Sequence, residues 1–188
     1  NYLEDKIDPK TKFIAVVDAD YEVKPSFINK ALKHFLDEKV ALVQFPQAYK
    51  NINEENLGIS MEYEFFFSVY MNMANYLNCA TSTGTLTIYR VEALKKVKFF
   101  NKTCLTEDAD IGFRLLKNGL KTVYVPEVIG RGLMPFEIES YKKQKSRWSR
   151  GNAQILKKNF VSLFFDSSLT LSQKLGLFMQ FLAWINFT

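Results

Sequence analysis

An open, mostly parallel α/β sheet with flanking helices is the fold class this sequence predicts, and three observations predict it. Short β-branched runs alternate with helix-period segments along the chain. The strand-like runs are apolar almost throughout, as strands covered on both faces are. With 188 residues, 47% hydrophobic and 24% charged, the chain is long enough for one domain with a sizeable core and too apolar for disorder.

The elements follow in order. "KFIAVVDAD" (12–20) reads as a buried strand ending in two aspartates. "KPSFINKALKHFLDE" (24–38) reads as a helix, with Pro25 and Ser26 near its start. "VALVQFPQ" (40–47) is a second strand, ended by Pro46, and a long helix is expected from Glu55 to about Leu77. "GTLTIYR" (84–90) is a third strand, followed by the short helix "VEALKKV" (91–97). "TEDADIGFRLLKNG" (106–119) opens on a capping residue, carries acids in its first turn and closes on glycine, which marks a helix at both ends. "LKTVYVP" (120–126) is a fourth strand, and "PFEIESYKKQKSRWSRGNAQILKKN" (135–159) is largely helical. In open α/β sheets ligands bind beyond the carboxyl ends of the strands, which puts Asp18 and Asp20 where chemistry is expected.

Charge is distributed unevenly. The net charge is +5, yet residues 141–165 hold seven cations and no acid. Such a concentration points to one particular contact: nucleic acid, an anionic membrane surface or a phosphorylated donor, with a solvated helical face as the plain alternative. The 17 Phe, 9 Tyr and 2 Trp suit packing against lipid or stacking on rings. Cys79 and Cys104 have neither CxxC nor zinc-finger spacing, and fit a reduced compartment. The closing stretch "LGLFMQFLAWINFT" (175–188) is 14 mostly apolar residues. A full span needs about 20, so it reads as the start of a membrane helix or as a core helix.

Three motifs carry chemistry. Asp18 and Asp20 at a strand end would point the same way in an extended chain, and two hard oxygen ligands at that spacing suit a divalent cation; an Asp turn gives the same pattern. Thr106-Glu107-Asp108 starts a helix, where a carboxylate is favoured as an anion. One acid could serve there as a general base, and a simple N-cap with an acidic first turn looks identical. On a helix, Gln144, Arg147 and Trp148 share one face, the guanidinium suiting phosphate oxygens and the indole a sugar or base. A buried Trp with snorkelling basic neighbours accounts for the same residues.

"VVDAD", then "TED", then "QKSRW", in that order on an α/β chain, resembles the processive inverting glycosyltransferases of family 2, the membrane polysaccharide synthases typified by cellulose synthase. "VQFPQ", "STGTLTIYR" and "RWSRGNAQIL" are secondary echoes. The resemblance implies a GT-A-like (Rossmann-like) domain over 1–135, whose first nucleotide-binding strand would precede Asn1. It implies a basic interface helix over 136–165 and an amphipathic segment entering the membrane over 166–188. It further implies that Asp18 and Asp20 sit near the donor diphosphate, Asp20 being the better Mg²⁺ or Mn²⁺ ligand, and that Asp108 is the general base. Thr106 and Glu107 would shape that site, Gly84 would let backbone approach the acceptor, and Gln144, Arg147 and Trp148 would close it. The remaining cations, Lys142, Lys143, Lys145 and Arg150 among them, would meet anionic headgroups of the cytoplasmic leaflet. The implied partners are a nucleotide sugar (UDP-glucose first, UDP-N-acetylglucosamine second), a β-linked polysaccharide acceptor and the membrane. Nucleic acid is not among them.

Overall fold

The computed structural model describes residues 6–184. Four strands, β1 (Phe13–Val16), β3 (Val40–Gln44), β4 (Thr87–Arg90) and β5 (Lys121–Tyr124), form one sheet in the order β1-β4-β3-β5. The pairs β1/β4 and β4/β3 are antiparallel and β3/β5 is parallel. Thus β1, β3 and β5 point the same way and β4 alone runs against them. The predicted class holds, with one reversed strand that periodicity did not reveal. Its cause is the connection. The chain leaves β3, builds α2 (Leu57–Phe65), a π-helical turn (Phe66–Met71) and α3 (Asn72–Tyr76), and comes back to the same end of the sheet, where Phe45 N donates to Leu86 O. A parallel strand would need a crossover to the opposite end.

Alternation along the strands covers both faces. Val43 and Ile88 pack with Phe27, Ala31 and Phe35 under α1 (Phe27–Leu32) and the 3₁₀ turn that extends it. Leu42 and Tyr89 point to the other face, with Leu94 of α4 (Val91–Lys96) and Ile111 and Leu115 of α5 (Glu107–Lys117). Every residue of β3 is therefore buried. A third cluster lies in a helical layer, where α2, the π turn and α5 meet α6 (Ile138–Phe165) and α7 (Leu171–Ala183) through Tyr63, Phe66, Phe113, Ile155 and Phe181.

Two smaller features place the site. A two-stranded ribbon of β2 (Glu22–Val23) and β6 (Gly130–Arg131) ties the segment after Asp20 to the segment that leads into α6. The helix expected from Glu55 to Leu77 exists, but a single π turn interrupts it and turns Phe66 and Phe67 inward. Such turns recur at functional sites. The start of α7 is fixed by a capping box, Thr170 Oγ1 accepting from Gln173 N while Gln173 Oε1 accepts from Thr170 N. No helix among the described residues is long and apolar enough to cross a membrane. The expected membrane entry runs on into 185–188, outside the described residues.

At Gly112 of α5 a helix approaches loop backbone closely: an added Cβ would stand 2.8 Å from Ser82 N and 3.0 Å from Thr81 Cα. Alanine in a helix interior normally gains up to about 1 kcal/mol over glycine. Here the obstacle is backbone, which cannot swing aside, so overpacking of about 1–3 kcal/mol outweighs the gain. Gly112→Ala should lower the midpoint of chemical denaturation, and an unchanged or raised midpoint would contradict this packing.

Candidate active site

The two aspartates lie just beyond β1. The strand ends at Val16, so the motif is not extended as alternation predicts; it sits in a turn closed by Tyr21 N donating to Asp18 O at 3.1 Å. The turn is pinned on two sides. Asp18 N donates to Thr85 Oγ1 (2.9 Å), and Asp20 Oδ2 accepts from Leu133 N (2.8 Å). Burial raises the Asp18 pKa, the neighbouring Asp20 carboxylate raises it further, and the Arg147 guanidinium pulls it down. Two mutually repelling carboxylates beside a guanidinium fit a divalent cation with a diphosphate. Among the described residues, no group of three or more His, Cys, Asp or Glu side chains is placed to hold a metal ion by itself. A cation here would therefore complete its shell from phosphate oxygens and water, as Mg²⁺ ordinarily does.

Asp108 occupies the first turn of α5, where the backbone amides of Asp108 and Ala109 hydrogen-bond its carboxylate. Helix-terminal amides by themselves hold a carboxylate low. Burial overrides them and pushes Asp108 up to about 6, with Glu107 adding to the rise and Arg147 opposing it. Thr106 stands at the N-cap position but makes no side-chain cap. It is buried against α6 instead, where an added Cβ on Gly151 would meet Thr106 Oγ1 at 2.5 Å. Glu107 is exposed.

Gly84 has φ +89°, a conformation side chains rarely adopt, and an added Cβ would stand 3.2 Å from Asp108 Oδ2. Its neighbour Thr85 holds Asp18, so one dipeptide touches both the turn of the first motif and the acid of the second. The segment around it is held by side chains absent from the sequence-based expectation. Gln44 Oε1 accepts from Thr83 N (2.9 Å) and Thr87 Oγ1 (2.5 Å), and Gln44 Nε2 donates to Thr85 O (3.0 Å). Gln47 Nε2 donates to Thr83 O (2.8 Å). The signal was available in "VQFPQ", where a glutamine interrupts an otherwise apolar buried strand.

The third motif arrives on α6. Gln144 Oε1 accepts from Tyr63 OH at 2.6 Å, and Trp148 meets the same tyrosine edge to face, with ring centroids 5.9 Å apart. Trp148 is half-buried between Tyr63 and Trp184. Arg147 is exposed and close enough to lower both Asp18 and Asp108. One expectation is corrected. Lys145 does not face headgroups: it is 2% exposed, salt-bridged to Glu62 of α2 and lies over the ring of Trp184. Lys142, Lys143, Arg150, Lys157 and Lys158 remain on the surface.

Asp108 and Trp148 border a cleft whose wall also includes Ser82, Thr106, Gln180 and Trp184. It offers an acid poised near neutrality and an aromatic platform, and Arg147 stands close enough to act on both Asp108 and Asp18. That combination can bind an anionic leaving group on one side and deprotonate a hydroxyl on the other.

Residues 13–188 match the family described as Glycosyl transferase family group 2, and the chain belongs to that family. It is similar to "Probable glucomannan 4-beta-mannosyltransferase 14" of Arabidopsis thaliana, 27% identical over 176 residues, covering 92% of this chain and 33% of that protein. It is also similar to "Probable glucomannan 4-beta-mannosyltransferase 11" of Oryza sativa subsp. japonica, 26% identical over 175 residues, covering 90% and 30%. The chain thus spans about a third of the length of these relatives. Among solved structures, the mannosyltransferase PcManGT from Pyrobaculum calidifontis, in complex with GDP-Man and Mn²⁺, superposes with a TM-score of 0.68 at 16% identity. The match covers 92% of this chain and 45% of that one. Membership of glycosyltransferase family 2 and the GT-A-like α/β fold, both expected from the sequence, therefore hold.

Because its folded pKa lies above the ordinary carboxylate value of 3.8, ionised Asp108 costs folded-state stability above pH 6, and that cost is gone below pH 3.8. Asp108→Asn should raise the melting temperature at pH 7.5 and converge on wild type near pH 3.5. A variant that melts lower at pH 7.5 would show that the charge is stabilised. At Gly84, alanine meets both a strained φ and the Asp108 oxygen. Gly84→Ala should cut turnover at least about tenfold, since displacing a reacting group by about 1 Å can cost a hundredfold; wild-type turnover would refute the contact.

Proposed function

We propose that this chain is the catalytic part of a membrane-associated inverting glycosyltransferase that extends a β-linked polysaccharide from a nucleoside diphosphate sugar. The observation that carries the reading is the Gly84-Thr85 dipeptide, which sets Asp108, the general base, and Asp18, on the donor side, against one stretch of backbone.

The acceptor hydroxyl binds against Trp148 and gives its proton to an Asp108 oxygen as its own oxygen attacks the anomeric carbon. With a pKa of about 6, Asp108 is mostly ionised at pH 7 yet basic enough to take the proton. The bond to the nucleoside diphosphate breaks on the opposite face, and Arg147 receives the developing negative charge. One displacement with one base inverts the anomeric centre and needs no second carboxylate nucleophile. Mg²⁺ or Mn²⁺ at Asp20 and Asp18 would supply further charge neutralisation on the diphosphate. Thr106, Glu107 and Gln144 shape the pocket around these groups.

The donor is a hexose nucleotide. The sequence resemblance favours UDP-glucose, and the names of the plant relatives bring in a mannose donor. Residues 1–135 supply the GT-A part. The 136–165 segment, which contains α6, lies at the cytoplasmic membrane surface, its exposed lysines and arginines each contributing about 1 kcal/mol of attraction to anionic lipid. Within the 166–188 segment, α7 leads toward the bilayer, with Leu171, Leu175 and Met179 exposed along one side.

The test uses the full-length protein in membranes, supplied with radiolabelled UDP-glucose, UDP-N-acetylglucosamine or GDP-mannose and with Mg²⁺, Mn²⁺ or a chelator. Metal-dependent β-linked polymer is expected, lost on chelation and reduced at least about 10³-fold in Asp108→Asn, as expected for removal of a general base. Wild-type rate should rise with pH through an apparent pKa near 6, since the ionised base is the active form. A single-sugar lipid product would instead assign a non-processive acceptor. Equal transfer by Asp108→Asn would remove Asp108 from the chemistry.

A further inference from the structure

Helix α7 grips the loop that carries Gly84. Gln173, Gly176, Gln180 and Trp184 follow one another at spacings of three, four and four residues, and so share one helical face. Each touches the site's supporting chain. Gln173 Nε2 donates to Asn78 O at 2.9 Å. An added Cβ on Gly176 would stand 2.4 Å from Cys79 Sγ. Gln180, 4% exposed, accepts from Thr81 N (3.1 Å) and Thr81 Oγ1 (3.2 Å) and donates to Cys79 O (2.8 Å). Trp184 meets Trp148 at 4.9 Å and Phe66 at 4.4 Å between ring centroids.

The next residues of that loop are Ser82 to Thr85, the ones that meet α5, Asp108 and Asp18. Asn78, with φ +52°, bends the chain into it. A buried amide group whose partner is removed must find another or remain unsatisfied, at about 1–3 kcal/mol. Without Gln180, Thr81 N and Cys79 O face that choice, and the loop shifts under Asp108. Gln180 and Trp184 also form part of the cleft wall itself.

We propose that α7 completes the acceptor side of the cleft, Gln180 acting as a positioning residue that keeps residues 79–84 aligned with Asp108 and Trp184 adding a second aromatic wall for the acceptor sugar beside Trp148. This deepens the proposed function and rests on the cleft being a glycosyl-transfer site. It assigns α7 to the acceptor site as well as to the membrane approach.

The test is Gln180→Met, which keeps length and removes the hydrogen bonds, in the full-length protein. Its acceptor KM should rise about tenfold, the equivalent of one buried hydrogen bond, while donor KM stays within about twofold. Hydrolysis of the donor by water, which needs no aligned acceptor, should persist. Thr81→Val should add little on top of Gln180→Met, because both remove one interaction. Amide exchange should quicken in residues 79–85 and stay unchanged in β4. Activity lost only in proportion to folded protein, with both KM values at wild type, would reduce Gln180 to a packing residue and overturn the proposal. So would unchanged exchange in 79–85. A wild-type protein that transfers no sugar would sink the proposed function, and the exchange measurement would still decide for or against Gln180.

Discussion

The site hangs on one buried amide. Gln44 is fully enclosed in β3, and its side chain satisfies Thr83 N, Thr85 O and the Thr87 hydroxyl. Residues 79–86 form no regular structure, yet Cys79 to Ser82 are buried and cannot turn to water for partners. An irregular buried segment survives only if side chains replace the missing ladder bonds. Gln44 does this from the sheet, Gln47 from the strand's exit and Gln180 from the helical layer. Gly84 can hold its positive φ against Asp108 because its neighbours are fixed from three directions.

The electrostatics follow from where that loop pushes the acids. At Asp108 two effects compete: the amides of the helix start favour the anion, and burial disfavours it. Burial prevails because Gly84 and the cleft wall remove water from the carboxylate, which leaves a group titrating near neutrality where a proton acceptor is useful. Asp18 rises for the same first reason, with the Asp20 charge added. Arg147 moderates both acids from the exposed side of α6, so one cation serves the two halves of the cleft.

The helical layer decides where that cation stands. Tyr63 of α2 binds Gln144 and packs on Trp148, while the adjacent Glu62 holds Lys145 and the Tyr141 hydroxyl. Consecutive residues of α2 thus grip two faces of α6 and set its rotation. Lys145 illustrates the limit of charge counting. In a run of cations it reads as solvated, but its position one turn beyond Tyr141 turns it inward, where a carboxylate and two aromatic rings replace its hydration.

Much of this was legible along the chain. The strands and helices follow from hydrophobic period, the start of α5 from its acids and its end from Gly119, and the three motifs from residue types at short spacing, because each is a local property. What periodicity could not supply was anything set by long-range return of the chain: the reversed direction of β4, the π turn at 66–71, the turn rather than strand at Asp18, and the inward Lys145. Thr106 shows the divide in one residue. Its type predicts an N-cap and its position is one, yet its hydroxyl makes no cap because Gly151, far away in sequence, brings α6 onto it. The residue types gathered at the candidate site were thus determined by the sequence alone. Their environment, and with it the pKa of Asp108 and the reach of Arg147, was decided by the tertiary structure, because burial and proximity are properties of which distant segments meet.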